Sequence, residues 1–223
     1  ILKKKDTVII TGTHGKTTTA TIAAYLLEMN ADEPSWFIGG VPKSLPNGAH
    51  LGQGDHFVIE GDEYDSAFFD KRSKFIHYNP YIVSINNLEM DHVDIFTDLE
   101  AIKKQFQFLL RTVPDNGVVV YPAENEEVLD VLQRGCWSEK QSVGDDSAAW
   151  HAVNKSVDGS SFDVCYQQQV LGRVSWSLMG EHNINNALVA AAMATFVGLT
   201  AQEVVDGLST FAGVKRRMEC IGQ

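Results

Sequence analysis

Thr11-Gly12-Thr13-His14-Gly15-Lys16-Thr17-Thr18-Thr19 is the stretch on which the reading of this 223-residue chain turns. An apolar run, Thr7 to Ile10, precedes it, and a segment with helical periodicity follows. Strand, glycine-bearing loop, helix is the order that a phosphate-binding loop needs. Successive backbone N–H groups and the helix N-terminus supply partial positive charge that can hold a polyphosphate. Gly12, Thr13, His14, Gly15 and Thr18 belong to that loop and helix start, Lys16 adds a mobile full charge, and the Thr17 hydroxyl can sit on a bound Mg²⁺. The match to G-x-x-x-x-G-K-[ST] is partial, because Ile10 stands where the first Gly is expected. A glycine-bearing turn with a chance lysine is the competing reading. The coincidence of Gly, Lys and Thr with the right flanks weighs against it.

Outward from this loop the chain alternates. Thr7–Thr11, Phe57–Glu60, Tyr81–Asn86 and Val118–Tyr121 are short apolar runs that read as buried strands. Between them, Thr17–Met29 and Asp98–Val113 carry apolar residues at spacings of three and four, and Glu124–Gln133 is a shorter helix candidate. Thr97 and Glu100 match a capping box at the start of the second helix. Alternation of this kind predicts an α/β fold with a mostly parallel, doubly wound sheet. After about Ser147, Trp150–Lys155, Ser161–Tyr166 and Gly172–Leu178 read as an antiparallel β-meander, expected as a small sheet beside the main one. Two helices follow, from about Asn183 to Val197 and from Thr200, where Glu203 completes a second capping box. The expected division is a core at 1–146, the meander at 147–179, and helices at 180–223.

Hydrophobic residues make up 44% of the chain, enough for a sizeable core, and the net charge is −11. With no basic block, a nucleic-acid or anionic-membrane surface is not expected. Cys136, Cys165 and Cys220 have neither metal spacing nor a disulfide framework, which points to a reducing cytoplasm. The longest nearly apolar stretch, Ala187–Leu199, is too short to span a bilayer, and no signal peptide is visible. The first residue is Ile1 and the last is Gln223, so a piece of a longer protein is expected.

Four further clusters bear on chemistry. Glu60-Gly61-Asp62-Glu63-Tyr64-Asp65 follows a strand, where open α/β sheets bind ligands, and a carboxylate there can help to hold Mg²⁺. A solvated acidic turn is the plainer alternative. Asn86-Asn87-Leu88-Glu89-Met90-Asp91-His92 ends another strand and offers an imidazole for a second metal, or merely a hydrogen-bonded histidine. Gly180-Glu181-His182-Asn183-Ile184-Asn185-Asn186 opens an Ala-rich helix. Its amides can read an adenine edge, or Asn183 can simply cap the helix. Lys215-Arg216-Arg217 could pair with phosphate or form a charged linker.

Taken in this order, these elements resemble the Mur ligase family, the ATP-dependent amide-forming enzymes of peptidoglycan synthesis. The matching residues are Gly12–Thr17, Glu60–Asp65, Asn87–His92, Gly180–Asn186 and Phe211-x-Gly213-x-x-Arg216-Arg217. The resemblance implies a three-domain polypeptide of which this chain is the central ATP-binding part, with N- and C-terminal domains as partners. It implies that Lys16, Glu60 and His92 are catalytic, and that Lys16 binds β/γ oxygens of ATP. Thr17 and Glu60 would hold one Mg²⁺, and Glu60 and His92 a second. His182, Asn183 and Asn186 would hold adenine, and Arg216 or Arg217 would reach ribose or phosphate.

His14 and the pattern Glu60-x-Asp62-Glu63-x-Asp65 look like the branch that adds L-alanine to UDP-N-acetylmuramate. The insertion Ala67–Tyr78 and Gly135-Cys136-Trp137-Ser138 look like the branch that joins UDP-N-acetylmuramate to the tripeptide L-alanyl-γ-D-glutamyl-meso-diaminopimelate in cell-wall recycling. The implied chemistry is phosphoryl transfer to the lactyl carboxylate, attack of the amine on the acyl phosphate, and collapse of a tetrahedral intermediate to amide and phosphate. In other branches a carbamylated lysine bridges metals. Gln107 stands about there, so none is expected. A reading from a different class, a nucleotide-hydrolysing switch, finds no guanine-reading Asn-Lys-x-Asp pattern in the chain.

Overall fold

Val8 and Ile10 turn to one face of the first strand and Ile9 to the other, and all three are buried. A strand buried on both faces belongs at the centre of a sheet covered by helices on both sides. The computed structural model describes residues 4–30, 32–90 and 96–215. In chain order the elements are β1 (Asp6–Thr11), α1 (Lys16–Met29), β2 (Ser35–Phe37), β3 (Ala49–His50) and β4 (His56–Glu60). Then come β5 (Asp65–Ala67), β6 (Asp70–Ser73), a 3₁₀ turn (Lys74–Tyr78), β7 (Pro80–Ile85), α2 (Leu99–Leu110), β8 (Val118–Pro122) and α3 (Glu126–Gln133). The rest is β9 (Glu139–Gly144), β10 (Trp150–Val153), β11 (Ser161–Tyr166), β12 (Gln169–Ser175), α4 (Glu181–Phe196) and α5 (Ala201–Thr210).

Among the described residues ten strands form one sheet in the order β12-β11-β10-β9-β8-β7-β1-β4-β2-β3. From β2 to β10 every neighbouring pair is parallel. One core lies between the sheet and α1, α4 and α5, and the other between the sheet and α2 and α3. β1 sits between β4 and β7, so the chain crosses from one side of β1 to the other after β4. Ligands bind beyond strand carboxyl ends at such a reversal.

The predicted α/β class and the meander are both present. The meander is not a separate sheet, however. β10 runs parallel to β9 and carries β11 and β12 onto the main sheet. The link is β9, whose sequence Glu-Lys-Gln-Ser-Val-Gly has too little apolar character to read as a strand. β12 also starts at Gln169, ahead of the predicted Gly172. The cap of α2 is Asp98, which accepts from the Ala101 N–H, so the expected Thr97–Glu100 box does not form. Asp98 is the better acceptor one position on, and Thr97 bonds to it instead. The second predicted box is present, with Thr200 and Glu203 bonded reciprocally. No helix among the described residues is long and apolar enough to cross a membrane.

Candidate active site

Ladder geometry sets the site. Ile10 pairs with Glu60 across β1 and β4, and Thr11 with Ile85 across β1 and β7. The ends of three adjacent parallel strands therefore deliver the loop at 12–15, the carboxylate of Glu60 and the amides of Asn86 and Asn87 to one place. Helix α1 starts there without a side-chain cap, behind Gly15 at φ 82°. The first N–H groups of a helix have no partner within it, so this N-terminus is left for an anion. A Cβ on Gly15 would lie 2.5 Å from Asn186 Oδ1, so glycine also lets α4 approach the loop.

A cavity of about 650 Å³ opens at this point, lined by residues 13–18 of the loop and α1 together with Gly39, Glu60, Asp62, His182, Asn183 and Asn186. The Lys16 amine donates to Gly12 O at 2.7 Å and lies 3.8 Å from Asp62 and 3.6 Å from the buried Glu63. Thr17 Oγ1 donates to Glu60 Oε2 at 3.0 Å, and the other oxygen of Glu60 accepts the Gly39 N–H at 2.7 Å. A hydroxyl and a carboxylate in contact are hard oxygen donors of the kind Mg²⁺ takes. No group of three or more His, Cys, Asp or Glu side chains among the described residues is arranged to hold a metal by itself.

A second cavity of about 350 Å³ shares His14, Gly15, His182 and Asn186, and adds Asn86, Asn87, Pro122, Glu124, Val143, Gly144, Asn185 and Val189. Its hydrogen bond with Asp145 holds the Glu124 carboxyl above the usual range, while Ser147 lowers that of Asp145.

The predicted Lys16, Thr17, Glu60, His182, Asn183 and Asn186 thus meet on one wall, with the loop residues between them. Asn183 is not the cap of α4. Gly180 takes that position without a side-chain bond, and Asn183 Nδ2 donates to Met179 O. Asn186 Oδ1 accepts from Thr19 and ties α4 to α1. Asp91, His92, Arg216 and Arg217 lie outside the described residues. Just before the two arginines, Lys215 donates its N–H to Val41 O, next to Gly40, whose added Cβ would lie 2.5 Å from Thr17. Sequence reading gave no individual role to Asn87 or to the wall at Pro122 and Val143. Only sheet order brings these to the loop.

The Mur ligase middle-domain family matches residues 10–194. The chain belongs to the Mur ligase family. As a Mur ligase middle domain it is 45% identical over 223 residues to the UDP-N-acetylmuramate–L-alanyl-γ-D-glutamyl-meso-2,6-diaminoheptandioate ligase of Escherichia coli, covering 100% of this chain and 49% of that protein. It is 35% identical to the UDP-N-acetylmuramate–L-alanine ligase of Dictyoglomus turgidum, covering 100% of this chain and 47% of that one. The crystal structure of UDP-N-acetylmuramate:L-alanyl-γ-D-glutamyl-meso-diaminopimelate ligase from Neisseria meningitides superposes with a TM-score of 0.90 at 44% identity, over 97% of this chain and 69% of that one. The chain spans about half the length of the curated relatives it matches.

Proposed function

We propose that the polypeptide containing this chain is an ATP-dependent ligase of the bacterial cytoplasm. It joins UDP-N-acetylmuramate to L-alanyl-γ-D-glutamyl-meso-diaminopimelate and releases ADP and phosphate. The observation that carries the proposal is the uncapped start of α1 opening on a cavity with Lys16 and the bonded pair Thr17–Glu60 on its wall. In this reading residues 1–146 are the ATP-binding core, 147–179 extend its sheet, and 180–223 close it and begin the link to a C-terminal domain. The UDP-sugar and the peptide need surfaces from the flanking domains.

Lys16 leaves Gly12 O for the β/γ oxygens of ATP. The N–H groups at the start of α1 take the remaining phosphate charge. Thr17 and Glu60 would hold Mg²⁺, and His92 would serve as a ligand of a second ion. When bound, the metal neutralises charge on the transferring oxygens. His182, Asn183 and Asn186 line the space for the base, and Arg216 or Arg217 reaches the ribose or a phosphate. Phosphoryl transfer to the lactyl carboxylate gives an acyl phosphate, and the peptide amine displaces phosphate from it. Charge builds on oxygen throughout, so preorganised donors supply most of the catalysis.

Addition of L-alanine alone is the second reading, supported by the 35% identical relative; the 45% identity to a tripeptide-adding enzyme favours the first. Calorimetry of this chain with ATP and Mg²⁺ tests the nucleotide site: binding is expected, and Lys16→Ala should abolish it. Equal affinity in the variant would refute the role of Lys16. Turnover of the whole polypeptide with tripeptide or with L-alanine separates the two readings, and amide formation with L-alanine only would sink the first.

A further inference from the structure

The loop between β1 and α1 is held in shape from outside itself. It carries two glycines at positive φ, Gly12 at 116° and Gly15 at 82°, and glycine leaves a backbone many shapes. The crown at His14 is exposed. Asn87, just past the end of β7, removes that freedom. Its Oδ1 accepts the His14 N–H at 2.8 Å and its Nδ2 donates to the His14 carbonyl at 3.4 Å. One amide side chain thus satisfies both backbone groups of one loop residue, as a neighbouring strand would. The backbone of Asn87 also lies against the loop. A Cβ on Gly12 would stand 2.8 Å from Asn87 O and 2.9 Å from Asn87 N. Two residues further on, the Glu89 N–H donates to Thr13 Oγ1 at 3.1 Å.

We propose that Asn87 is a positioning residue for the nucleotide: it fixes the crown of the loop so that the N–H groups opening α1 stay aimed into the cavity before any ligand arrives. This rests on the nucleotide reading above. It also divides the donors. The His14 N–H is committed to Asn87, which leaves the N–H groups of Lys16, Thr17 and Thr18 for the phosphates. A loop ordered in advance loses less freedom on binding, and that difference appears as affinity.

The test uses the 223-residue chain, with hydrogen exchange at the His14 amide followed without nucleotide and calorimetric titration with ATP and Mg²⁺. Asn87→Ala is expected to speed His14 exchange and to weaken nucleotide binding about tenfold, the weight of the short bond to the His14 N–H, the longer bond to the carbonyl adding little. Exchange at Val8 to Ile10 should stay at the wild-type rate, which a general loss of stability would not allow. Asn87→Asp keeps the acceptor and is expected to restore His14 protection. Should Asn87→Ala fail to fold, Asn87→Ser carries the same expectation, its hydroxyl being too short to span both groups. Unchanged His14 exchange in the truncated variants overturns the proposal, as does a loosened His14 with wild-type nucleotide affinity. Failure of the wild-type chain to bind the nucleotide overturns the nucleotide reading and this proposal together; binding that is the same in both overturns this proposal alone.

Discussion

Replacing Thr19 by valine tests whether the site is held together by a buried polar hub. Thr19 is fully buried on α1. Its hydroxyl accepts from Asn86 Nδ2 at 2.9 Å and donates to Asn186 Oδ1 at 3.1 Å. Asn86 is itself placed by Ser84 Oγ, which donates to its Oδ1 at 2.9 Å, and by its own N–H on Thr11 O at 3.0 Å. One hydroxyl therefore joins the end of β7, helix α1 and helix α4. Valine has nearly the same shape and deletes both bonds, which is why the exchange is not neutral in a core. Each bond contributes a net ~0.5–1.5 kcal/mol, and a partner left buried without water costs ~1–3 kcal/mol. Asn186 is only 8% exposed, so its oxygen falls in the costlier class. The added methyl returns about 0.8 kcal/mol. The balance is a loss of roughly 2 kcal/mol. In urea, with a slope of about 2.5 kcal/mol per molar, the midpoint should drop by about 0.8 M with the slope unchanged. Fluorescence of the buried Trp36 and Trp150 can follow the transition. Asn186→Ala, alone and with Thr19→Val, should show a coupling of about 1 kcal/mol, because both remove the same bond. A midpoint shift under about 0.2 M, or strict additivity, would refute the hub.

Glu60→Gln keeps an acceptor for Thr17 but removes the charge proposed to hold Mg²⁺. The Mg²⁺ required for half-maximal ATP binding should rise about tenfold or more, the worth of one charge-assisted contact. An unchanged Mg²⁺ titration would remove Glu60 from the metal site. Asp158 accepts from the N–H and hydroxyl of Ser160 and from Ser156, and these bonds hold its carboxyl down to about 2. A depressed carboxyl stabilises the fold above its unfolded value near ~3.9, and that contribution disappears as pH falls through the folded value. Asp158→Asn should therefore flatten the acid side of the stability profile between those two values, and an unaltered profile would contradict the assignment.

What could be read from the chain and what could not divide along the range of the interactions. β1 and α1 were legible because their signals are local: an apolar run, two glycines, a lysine and threonines in consecutive positions. Glu60 was legible because a carboxylate directly after a strand has few places to go in an open sheet. β9 was not, since its polar sequence is a strand only because β8 and β10 flank it. The placement of Asn183 and Asn186 was half legible. Their position at the start of a helix beside the cavity follows from sequence, but Met179 and Thr19 already claim atoms of their amides. Asn87 stood in plain view as part of a motif, yet its bond partners lie 73 residues away in the chain.

The charges around Lys16 lead to one further step. Glu60 and Asp62 line the cavity, Glu63 is buried behind, and the mobile cation among them is Lys16. A bare triphosphate brought here would meet carboxylates of its own sign close by, where low dielectric strengthens repulsion. The partial charge at the start of α1 is about half a unit, too little to offset them. A divalent cation arriving with the nucleotide would change the sign of the balance: in the proposed reading Glu60 and the Thr17 hydroxyl would hold it, and Lys16 would turn from Gly12 O to the phosphates. On this argument the acidic strand end and the loop are a single device, and the dependence of ATP binding on Mg²⁺ should be steep in the wild type and shallow once Glu60 is neutral.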